Sequence, residues 1–199
     1  MMPVILFDLD GTLVEAKEWH YEALNRALRL FGFEISREDH LNIYDGLPTR
    51  NKLRLLTEQE GLPETLYDLI FKLKQEFTFQ EIEKNCKPLP NVVETLQELK
   101  KRGHTLGLCS NSIRKSIDLM LHYSGILEYF DLILSNQDVT FAKPDPEIYE
   151  VARHKLKVKA EDCIVVEDNV KGIEAGRRAR MKVIQVSSPK DISLNLFGL

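Results

Sequence analysis

The sequence predicts an α/β fold: a doubly wound, mostly parallel Rossmann-like sheet with a small α-helical cap inserted after the first strand. Two observations lead to this prediction. Short apolar runs recur along the 199-residue chain, and stretches with helical spacing separate most of them. A long interval after the first run has helical patterns and no convincing strand. Apolar strands that alternate with helices are typical of a parallel sheet covered on both faces.

The predicted sheet has five strands, each bounded by polar or turn-forming residues. They are the runs 4–7, 104–110, 130–135, 162–168 and 182–188. Just before the second run, Val92, Leu96 and Leu99 recur at helical spacing and predict a helix. The stretches 114–125 and 145–156 have the same kind of pattern and predict two further helices.

The interval between the first strand and its sheet partners predicts the helical cap. Its three amphipathic stretches are 17–32, 48–61 and 62–77. In the second stretch, Thr49 is the expected N-cap and Gly61 the expected C-terminal stop. We expect a core domain of residues 1–14 and 85–199 and a cap domain of residues 15–84. The cap would lie over the carboxyl ends of the strands, where open α/β sheets bind ligands.

Composition narrows the classes of function. The formal net charge is −4, and no basic stripe suits binding to nucleic acid. No apolar run approaches the length of a membrane span, and the first residues do not have the pattern of a signal peptide. Cys86, Cys109 and Cys163 are far apart and form no C-x-x-C motif. We expect a reduced, cytoplasmic protein that is a monomer or a weak homodimer.

Polar side chains follow the predicted apolar runs at the points where those runs end. They are Asp8, Asp10, Ser110, Asn111, Lys143, Glu167 and Asp168. Because parallel strands end at one edge of a sheet, we expect these side chains to meet in one crevice. Clustered carboxylates suit Mg²⁺, which takes oxygen ligands. Asp8 and Asp168 are the expected side-chain ligands. Asp10 would add its backbone carbonyl, and Glu167 is a further candidate.

Phosphate chemistry would use the two aspartates of the first strand end in different ways. Asp8 is the expected nucleophile, because Mg²⁺ and Lys143 would reduce its repulsion from a phosphate dianion. Asp10 would give a proton to the leaving oxygen and then take one from the attacking water. Ser110 and Asn111, with Lys143 and nearby backbone N–H groups, would hold the phosphoryl oxygens.

Simpler roles are open for several of these residues. Glu167 and Asp168 also suit the capping of a helix that begins near Val170. Asn111 also suits the orientation of a loop.

These motifs together resemble those of the haloacid dehalogenase superfamily, in its branch with a helical cap. D-x-D-G-T is Asp8 to Thr12, and the Ser/Thr motif is Ser110. K-P-x-P begins at Lys143, and E-D-x-x-x-G-I-x-A runs from 167 to 175. Four motifs in order, each after a predicted strand, make a specific signal. The resemblance covers the whole chain.

Within the predicted cap, the segment DGLPTRNKL at 45–53 resembles the substrate loop of beta-phosphoglucomutase-like and sugar-phosphatase members. That resemblance implies substrate contacts for Arg50 and an acid/base role for His20. Arg50 and Lys52 would lie at a helix start, where the helix dipole disfavours cations. An anionic substrate would explain why they are there.

Departures from the family patterns narrow the expected reaction. Dehalogenases and phosphonate hydrolases of the superfamily lack the second aspartate, which is Asp10 here. The mutases have a lysine just after the motif serine, where this chain reads Ser112, Ile113 and Arg114. We therefore expect a Mg²⁺-dependent phosphatase of a small phosphorylated metabolite, such as a sugar phosphate. A phosphosugar mutase and a non-catalytic, phospho-accepting module are the alternatives.

Overall fold

The computed structural model describes residues 3–199, and in that range the chain has one five-stranded parallel sheet. The strands are β1 (Val4–Phe7), β2 (Leu106–Cys109), β3 (Leu132–Leu134), β4 (Cys163–Glu167) and β5 (Lys182–Gln185). Each strand lies within its predicted run. The spatial order is β3-β2-β1-β4-β5, which is a doubly wound order and confirms the predicted fold class.

The order of the strands indicates where a ligand crevice lies. β1 pairs with β2 on one side and with β4 on the other, and the chain crosses over between those two sides. Phe7 is in register with Leu108 and with Val166, so the three strands end at nearly the same level. In doubly wound sheets the crevice forms where the strand order reverses. Here that point is the carboxyl end of β1 and β4.

Eight α-helices accompany the sheet in the described range. They are α1 (Lys17–Arg29), α2 (Arg37–Asp39), α3 (Thr49–Glu60), α4 (Tyr67–Asn85), α5 (Pro90–Lys101), α6 (Arg114–Tyr123), α7 (Glu147–Leu156) and α8 (Val170–Arg178). A π-helical turn follows α2 at His40–Tyr44, and short 3₁₀ turns lie elsewhere. The predicted helices are confirmed, but α4 begins five residues later and ends eight residues later than the predicted stretch 62–77.

The predicted N-cap of α3 is wrong, whereas its predicted C-terminal stop is confirmed. Pro48 occupies the N-cap position with φ −57°, and Thr49 is the first helical residue. No side-chain cap is formed, because the proline ring has no oxygen to accept a hydrogen bond from the first turn. Gly61 ends the helix in the left-handed conformation, at φ 74°.

The sheet is buried on both faces, as its continuous apolar strands predict. Ile5 and Phe7 of β1 belong to one apolar cluster, with residues of α5 and α6. Val4 and Leu6 point to the other face and pack with residues of α7 and α8. Because successive strand residues alternate between faces, β1 anchors both clusters.

The helices between β1 and α5 form a separate layer, which we call the helical layer (α1 to α4). It has an apolar cluster of its own, which includes Leu28, Tyr44 and Leu56. The long helix α4 joins this layer to the core, because Ile82 near its C-terminus packs in the cluster under α5 and α6. A division into core and cap domains at 14/15 and 84/85 stays a prediction.

Within residues 3–199, none of the helices combines the length and apolar character needed to cross a bilayer. Cys86, Cys109 and Cys163 are buried free thiols. Burial raises the pKa of the Cys109 thiol to about 12. The cysteines therefore pack as small apolar residues.

Candidate active site

The carboxyl end of β1 and β4 holds a lysine bound by two acids. The Lys143 ammonium donates hydrogen bonds to Asp8 Oδ1 (2.8 Å), Glu167 Oε1 (2.5 Å) and the Cys109 carbonyl (2.7 Å). Its side chain is only 3% exposed. Tyr149 of α7 donates to the same Glu167 oxygen at 3.0 Å. The lysine thus has three acceptors for its three protons, and the whole arrangement is preorganised.

The charges of this cluster shift its protonation equilibria. Burial, followed by the charge of Glu167, raises the pKa of Asp8 more than Lys143 lowers it. For Lys143, burial acts to lower the pKa, but the charges of Asp8 and Glu167 outweigh it and raise the pKa. Both directions follow from placing two carboxylates around one ammonium in a buried site. Lys143 therefore stays protonated, and its single positive charge is paired with both carboxyl groups.

Asp168 lies beside this cluster and faces the first helix of the helical layer. Its Oδ1 accepts a hydrogen bond from Thr12 at 2.8 Å. Its Oδ2 forms an ion pair with the Lys17 ammonium, at 2.5 Å. Gly11 makes this approach possible: at φ +97°, an added Cβ would lie 2.4 Å from Asp168 Oδ2.

The described residues offer one carboxylate cluster suited to a metal ion. Oxygens of Asp8, Glu167 and Asp168 lie within 4.8 Å of one another, and an all-oxygen donor set fits Mg²⁺. Asp168 Oδ2 already faces a cation, the Lys17 ammonium at 2.5 Å, so this oxygen lies where a positive charge is stabilised. Both oxygens of Glu167 are already hydrogen-bonded, to Lys143, Tyr149 and the backbone N–H of Asp168 and Asn169. Asp8 and Asp168 are thus the less committed donors.

The Asp10 carboxylate points away from that cluster and into a hydrogen-bond chain. Its Oδ2 accepts from Ser110 at 3.1 Å and from Ser112 at 2.9 Å, and its Oδ1 lies 2.7 Å from His20 Nε2. His20 Nδ1 lies 3.0 Å from the Lys74 ammonium. Because Lys74 donates to Nδ1, the histidine proton lies on Nε2 and is donated to Asp10.

This chain sets the protonation of Asp10. Burial acts to raise the pKa of Asp10, but the charge of His20 and its hydrogen bond outweigh it and lower the pKa to about 2. For His20, burial and then the charge of Lys74 lower the pKa. A neutral His20 still donates its Nε2 proton, so the hydrogen bond to Asp10 is the part of this effect that operates at neutral pH. Asp10 is ionised in this arrangement.

The remaining predicted residues have more varied positions. Ser110 is fully buried and bound to Asp10, and Asn111 bonds the backbone of Gly46 and Lys143 through both polar atoms of its amide. Arg50 is half exposed, forms an ion pair with Asp68 at 2.7 Å, and lines the cavity. Contact with phosphate stays a prediction for Ser110 and Asn111, as does contact with substrate for His20 and Arg50.

A cavity of about 990 Å³ separates the strand ends from the helical layer. The loop at Asp45 closes one side of it, since Asn169 donates to Asp45 Oδ2 at 2.9 Å and Lys171 to the Asp45 carbonyl at 2.6 Å. Asn169 is also the N-cap of α8, where its side chain accepts from Lys171 N–H. Asn169, and neither Glu167 nor Asp168, is therefore the N-cap of that helix.

Sequence reasoning missed Lys17, Lys74, Ser112 and Tyr149 as residues of the site, and it linked Lys52 to an anionic substrate only through its place at a helix start. One signal was present for Lys74. It follows Ile70 by four residues and so lies on the buried face of α4, an unusual place for a lysine. Lys17 and Tyr149 have no comparable signal, because their roles depend on long-range contacts.

Comparisons with known proteins identify the family of this chain. Residues 5–186 match the haloacid dehalogenase-like hydrolase family. The chain therefore belongs to that family. One relative is the pyrophosphatase PpaX of Oceanobacillus iheyensis, 31% identical over 183 residues, which are 92% of this chain and 82% of that protein. Another is the phosphorylated carbohydrates phosphatase of Thermotoga maritima, 29% identical over 92% of this chain and 84% of that protein.

Solved structures have the same fold. A beta-phosphoglucomutase from Clostridium difficile superposes with a TM-score of 0.87 at 23% identity, over 100% of this chain and 96% of that one. A CbbY variant from Rhodobacter sphaeroides, in complex with xylulose 1,5-bisphosphate, superposes with a TM-score of 0.85 at 26% identity. The match covers 93% of this chain and 86% of that one. The chain thus has the fold shared by the phosphatases and mutase-like proteins of its family.

Proposed function

We propose that this protein is a Mg²⁺-dependent phosphatase that hydrolyses a small organic phosphate monoester through a phospho-aspartate on Asp8. The observation that carries the proposal is the placement of Asp8. One of its oxygens is held 2.8 Å from Lys143, beside Asp168 and two residues before the hydrogen-bonded Asp10. A positioned carboxylate with a fixed cation and a nearby acid/base group suits transfer of phosphate to the carboxylate.

In the first step, an Asp8 oxygen attacks phosphorus, the new Asp8 O–P bond forms and the ester P–O bond breaks. Asp10 gives its proton to the leaving oxygen. In the second step, water attacks the phosphorus of phospho-Asp8, Asp10 takes the proton of that water, and the Asp8 O–P bond breaks. Because Asp10 is ionised while it is bound to His20, the dianionic substrate must raise its pKa before it acts as an acid.

Lys143 binds the phosphoryl group and Asp8 together and compensates their negative charges. Asp8 and Asp168 would hold the Mg²⁺, with the Asp10 carbonyl as a further ligand. When bound there, Mg²⁺ neutralises charge on the transferring phosphoryl group. Glu167 holds Lys143 in place and is a weaker candidate as a ligand, because both its oxygens are engaged.

A phosphorylated sugar or a related metabolite is the proposed substrate class. The cavity of about 990 Å³ admits a molecule of that size. The Thermotoga relative is named for phosphorylated carbohydrates and the Oceanobacillus relative for pyrophosphate, and both names support phosphate hydrolysis.

A phosphosugar mutase is the second candidate, favoured by the 2.7 Å contact of His20 with Asp10. This contact would hold Asp10 away from Asp8 until a substrate is bound. Against it, Arg114, at the place where mutases have their lysine, forms an ion pair with Asp118 at 2.8 Å and does not line the cavity. Hydrolysis is therefore the primary proposal.

A phosphate-release screen over many phosphorylated metabolites with Mg²⁺ tests the proposal, with Asp8→Asn as the matched isosteric variant. We expect release by the native protein and loss of at least about 10³-fold in the variant. Turnover that persists in Asp8→Asn would refute the assignment of the nucleophile. Isomeric product from a hexose 1-phosphate with a bisphosphate activator would establish a mutase. A stable phospho-aspartate without turnover would indicate a phospho-accepting module.

A further inference from the structure

The cavity above the strand ends has room for more than a sugar phosphate, and part of its lining is apolar. Its volume of about 990 Å³ lies near the upper limit of the roughly 300–1,000 Å³ that is usual for pockets enclosing drug-sized ligands. Phe71, Ile113 and Phe141 are among the residues that line it, and we call these three the apolar wall. A bare sugar phosphate has no apolar group to place against such a wall.

Phe141 is the most exposed part of the apolar wall. Of the large apolar residues that are exposed within residues 3–199, Phe141 alone lines the cavity, and it is 62% exposed. Its backbone is held in place, because Glu147 at the start of α7 accepts hydrogen bonds from the N–H groups of Thr140 (3.0 Å) and Phe141 (2.7 Å). A ring on a fixed backbone covers a ligand with little further loss of conformational entropy.

Phe71 and Ile113 lie on neighbouring elements along one side of the cavity. Gln75 follows Phe71 by one turn of α4 and accepts a hydrogen bond from Ser116 of α6 at 3.5 Å. Ile113 is the N-cap of α6, so both apolar residues lie where the contact between α4 and α6 opens into the cavity. Asn136 N–H donates to the carbonyl of the residue before Ile113 at 3.2 Å, which joins this side to the loop between β3 and α7.

Flat groups occur at two places in this lining. The Arg50 guanidinium lies over the Phe71 ring, with its central carbon 5.3 Å from the ring centroid. No ring or cation stacks on Phe141 within the described residues. Aromatic side chains prefer offset-stacked or edge-to-face partners, and the guanidinium plane also stacks on rings. The uncovered Phe141 ring therefore suits a planar ring of a ligand.

Two side-chain amides on the same loop have unused hydrogen-bonding groups. Asn136 and Gln137 both line the cavity. Among residues 3–199 the Asn136 amide has no hydrogen-bond partner, and the Gln137 amide uses only its oxygen, toward the Arg114 N–H at 2.8 Å. Asn and Gln amides pair with the donor and acceptor atoms at the edge of a nitrogen heterocycle. An aliphatic chain would leave these amides unpaired.

We propose that Phe141 stacks on a nitrogen heterocycle of the substrate, so that the preferred substrate is a sugar phosphate with an attached aromatic base, of the nucleoside monophosphate class. This inference rests on the proposed phosphatase function and names its substrate class. Phe141 is a specificity-determining residue, and Asn136 and Gln137 bind the edge of the ring. Phe141 is two residues from Lys143, a span of at most about 7 Å, which one sugar between the phosphate and the base covers.

Matched substrates test the inference. Adenosine 5′-monophosphate and ribose 5-phosphate have the same sugar and phosphate, with and without the heterocycle, and uridine 5′-monophosphate adds a smaller ring. For at least one nucleotide we expect kcat/KM to exceed that for ribose 5-phosphate by about tenfold or more, as for the stacking of one base on an aromatic side chain. The preference should come mainly from a lower KM. Equal kcat/KM for all three compounds would overturn the inference.

Variants assign the preference to the ring of Phe141. Phe141→Ala should reduce the ratio of kcat/KM between nucleotide and ribose 5-phosphate by about tenfold. Phe141→Leu keeps an apolar side chain without a flat face and should also reduce the ratio, whereas Phe141→Trp should retain it. Tyr123→Ala is the matched control, since Tyr123 is an exposed aromatic residue at the end of α6 that does not line the cavity. A full preference in Phe141→Leu would contradict stacking.

A binding measurement separates this inference from the proposed function. Calorimetry with Asp8→Asn and Asp8→Asn/Phe141→Ala should show tighter binding of the nucleotide than of ribose 5-phosphate only when Phe141 is present. Hydrolysis of both compounds with equal efficiency, and equal binding by both variants, would refute the heterocycle site and leave the phosphatase intact. Nucleotide binding that depends on Phe141, without hydrolysis by the native protein, would refute the phosphatase and retain the heterocycle site.

Discussion

The two sides of the cavity differ in how their buried lysines are neutralised. At the strand ends, Lys143 has two carboxylates and a carbonyl within 2.8 Å. In the helical layer, Lys52 has no partner in the described chain, and Lys74 has a neutral histidine. Burial is similar on the two sides, so the two sides differ in the partners of the buried lysines and not in burial.

The largest expected effect comes from removing the paired lysine. Lys143→Met would leave Asp8 and Glu167 buried together without a cation. We expect the free energy of unfolding to fall by about 3–5 kcal/mol, as for other broken buried ion pairs. Chemical denaturation at neutral pH measures this. A variant as stable as the native protein would show that the two acids do not need Lys143.

The unpaired lysine should behave in the opposite way. Lys52→Met should raise the free energy of unfolding, by up to about 3 kcal/mol if the whole displacement of the Lys52 pKa from 10.5 to about 8 acts on stability. Below pH 8 both the folded and the unfolded chains hold the Lys52 proton, so the destabilisation is fully present. Between pH 8 and 10.5 the unfolded chain holds more protons, and native stability rises with pH.

The gain from Lys52→Met should therefore be largest near pH 6 and shrink toward pH 10. Denaturation of both proteins across this range, with Lys72→Met, an exposed change on α4, as the control, measures the difference. A gain that grows with pH, or a loss of stability at pH 6, would contradict an unpaired buried cation.

A smaller effect is expected from the glycine beneath Glu167. A Cβ on Gly172 would lie 1.7 Å from Glu167 Oε1, so Gly172→Ala must displace the carboxylate from Lys143 and Tyr149. We expect a loss of about 1–3 kcal/mol in stability, as for overpacked sites, and slower phosphate release. Glu174→Ala, an exposed change on the same helix, is the control. A thermal midpoint equal to that of the control would contradict this packing.

The smallest expected effect concerns Mg²⁺ affinity. Because the Lys17 ammonium lies 2.5 Å from Asp168 Oδ2, it competes with a divalent cation for that oxygen. Lys17→Met should bind Mg²⁺ about fivefold more tightly, as expected for a partly exposed ion pair worth about 1 kcal/mol. Calorimetry with Mg²⁺ alone measures this, and Lys159→Met serves as the exposed control. Weaker binding by Lys17→Met would show that Lys17 supports the site.

The fold and the strand-end acids were predictable because they depend on local patterns. A run such as VILF is apolar enough to be buried on both faces, and residues that follow parallel strands meet at one edge. Asp8, Lys143, Glu167 and Asp168 come together as that rule predicts. The partners of Asp10 were only partly predictable: Ser110 and His20 were candidates, but their shared acceptor depends on the position of α1.

The sequence by itself determined the family, the α/β sheet and the cluster of acids and lysine at the strand ends, since short motifs and strand periodicity encode them. Only the tertiary structure decided which charges are paired. Lys17 meets Asp168 across 151 residues, and Lys52 and Lys74 meet no acid, although acids are plentiful along the chain. Pairing depends on distances between elements that are remote in sequence. Coulomb energy falls with distance and with solvent exposure, and both are set by packing.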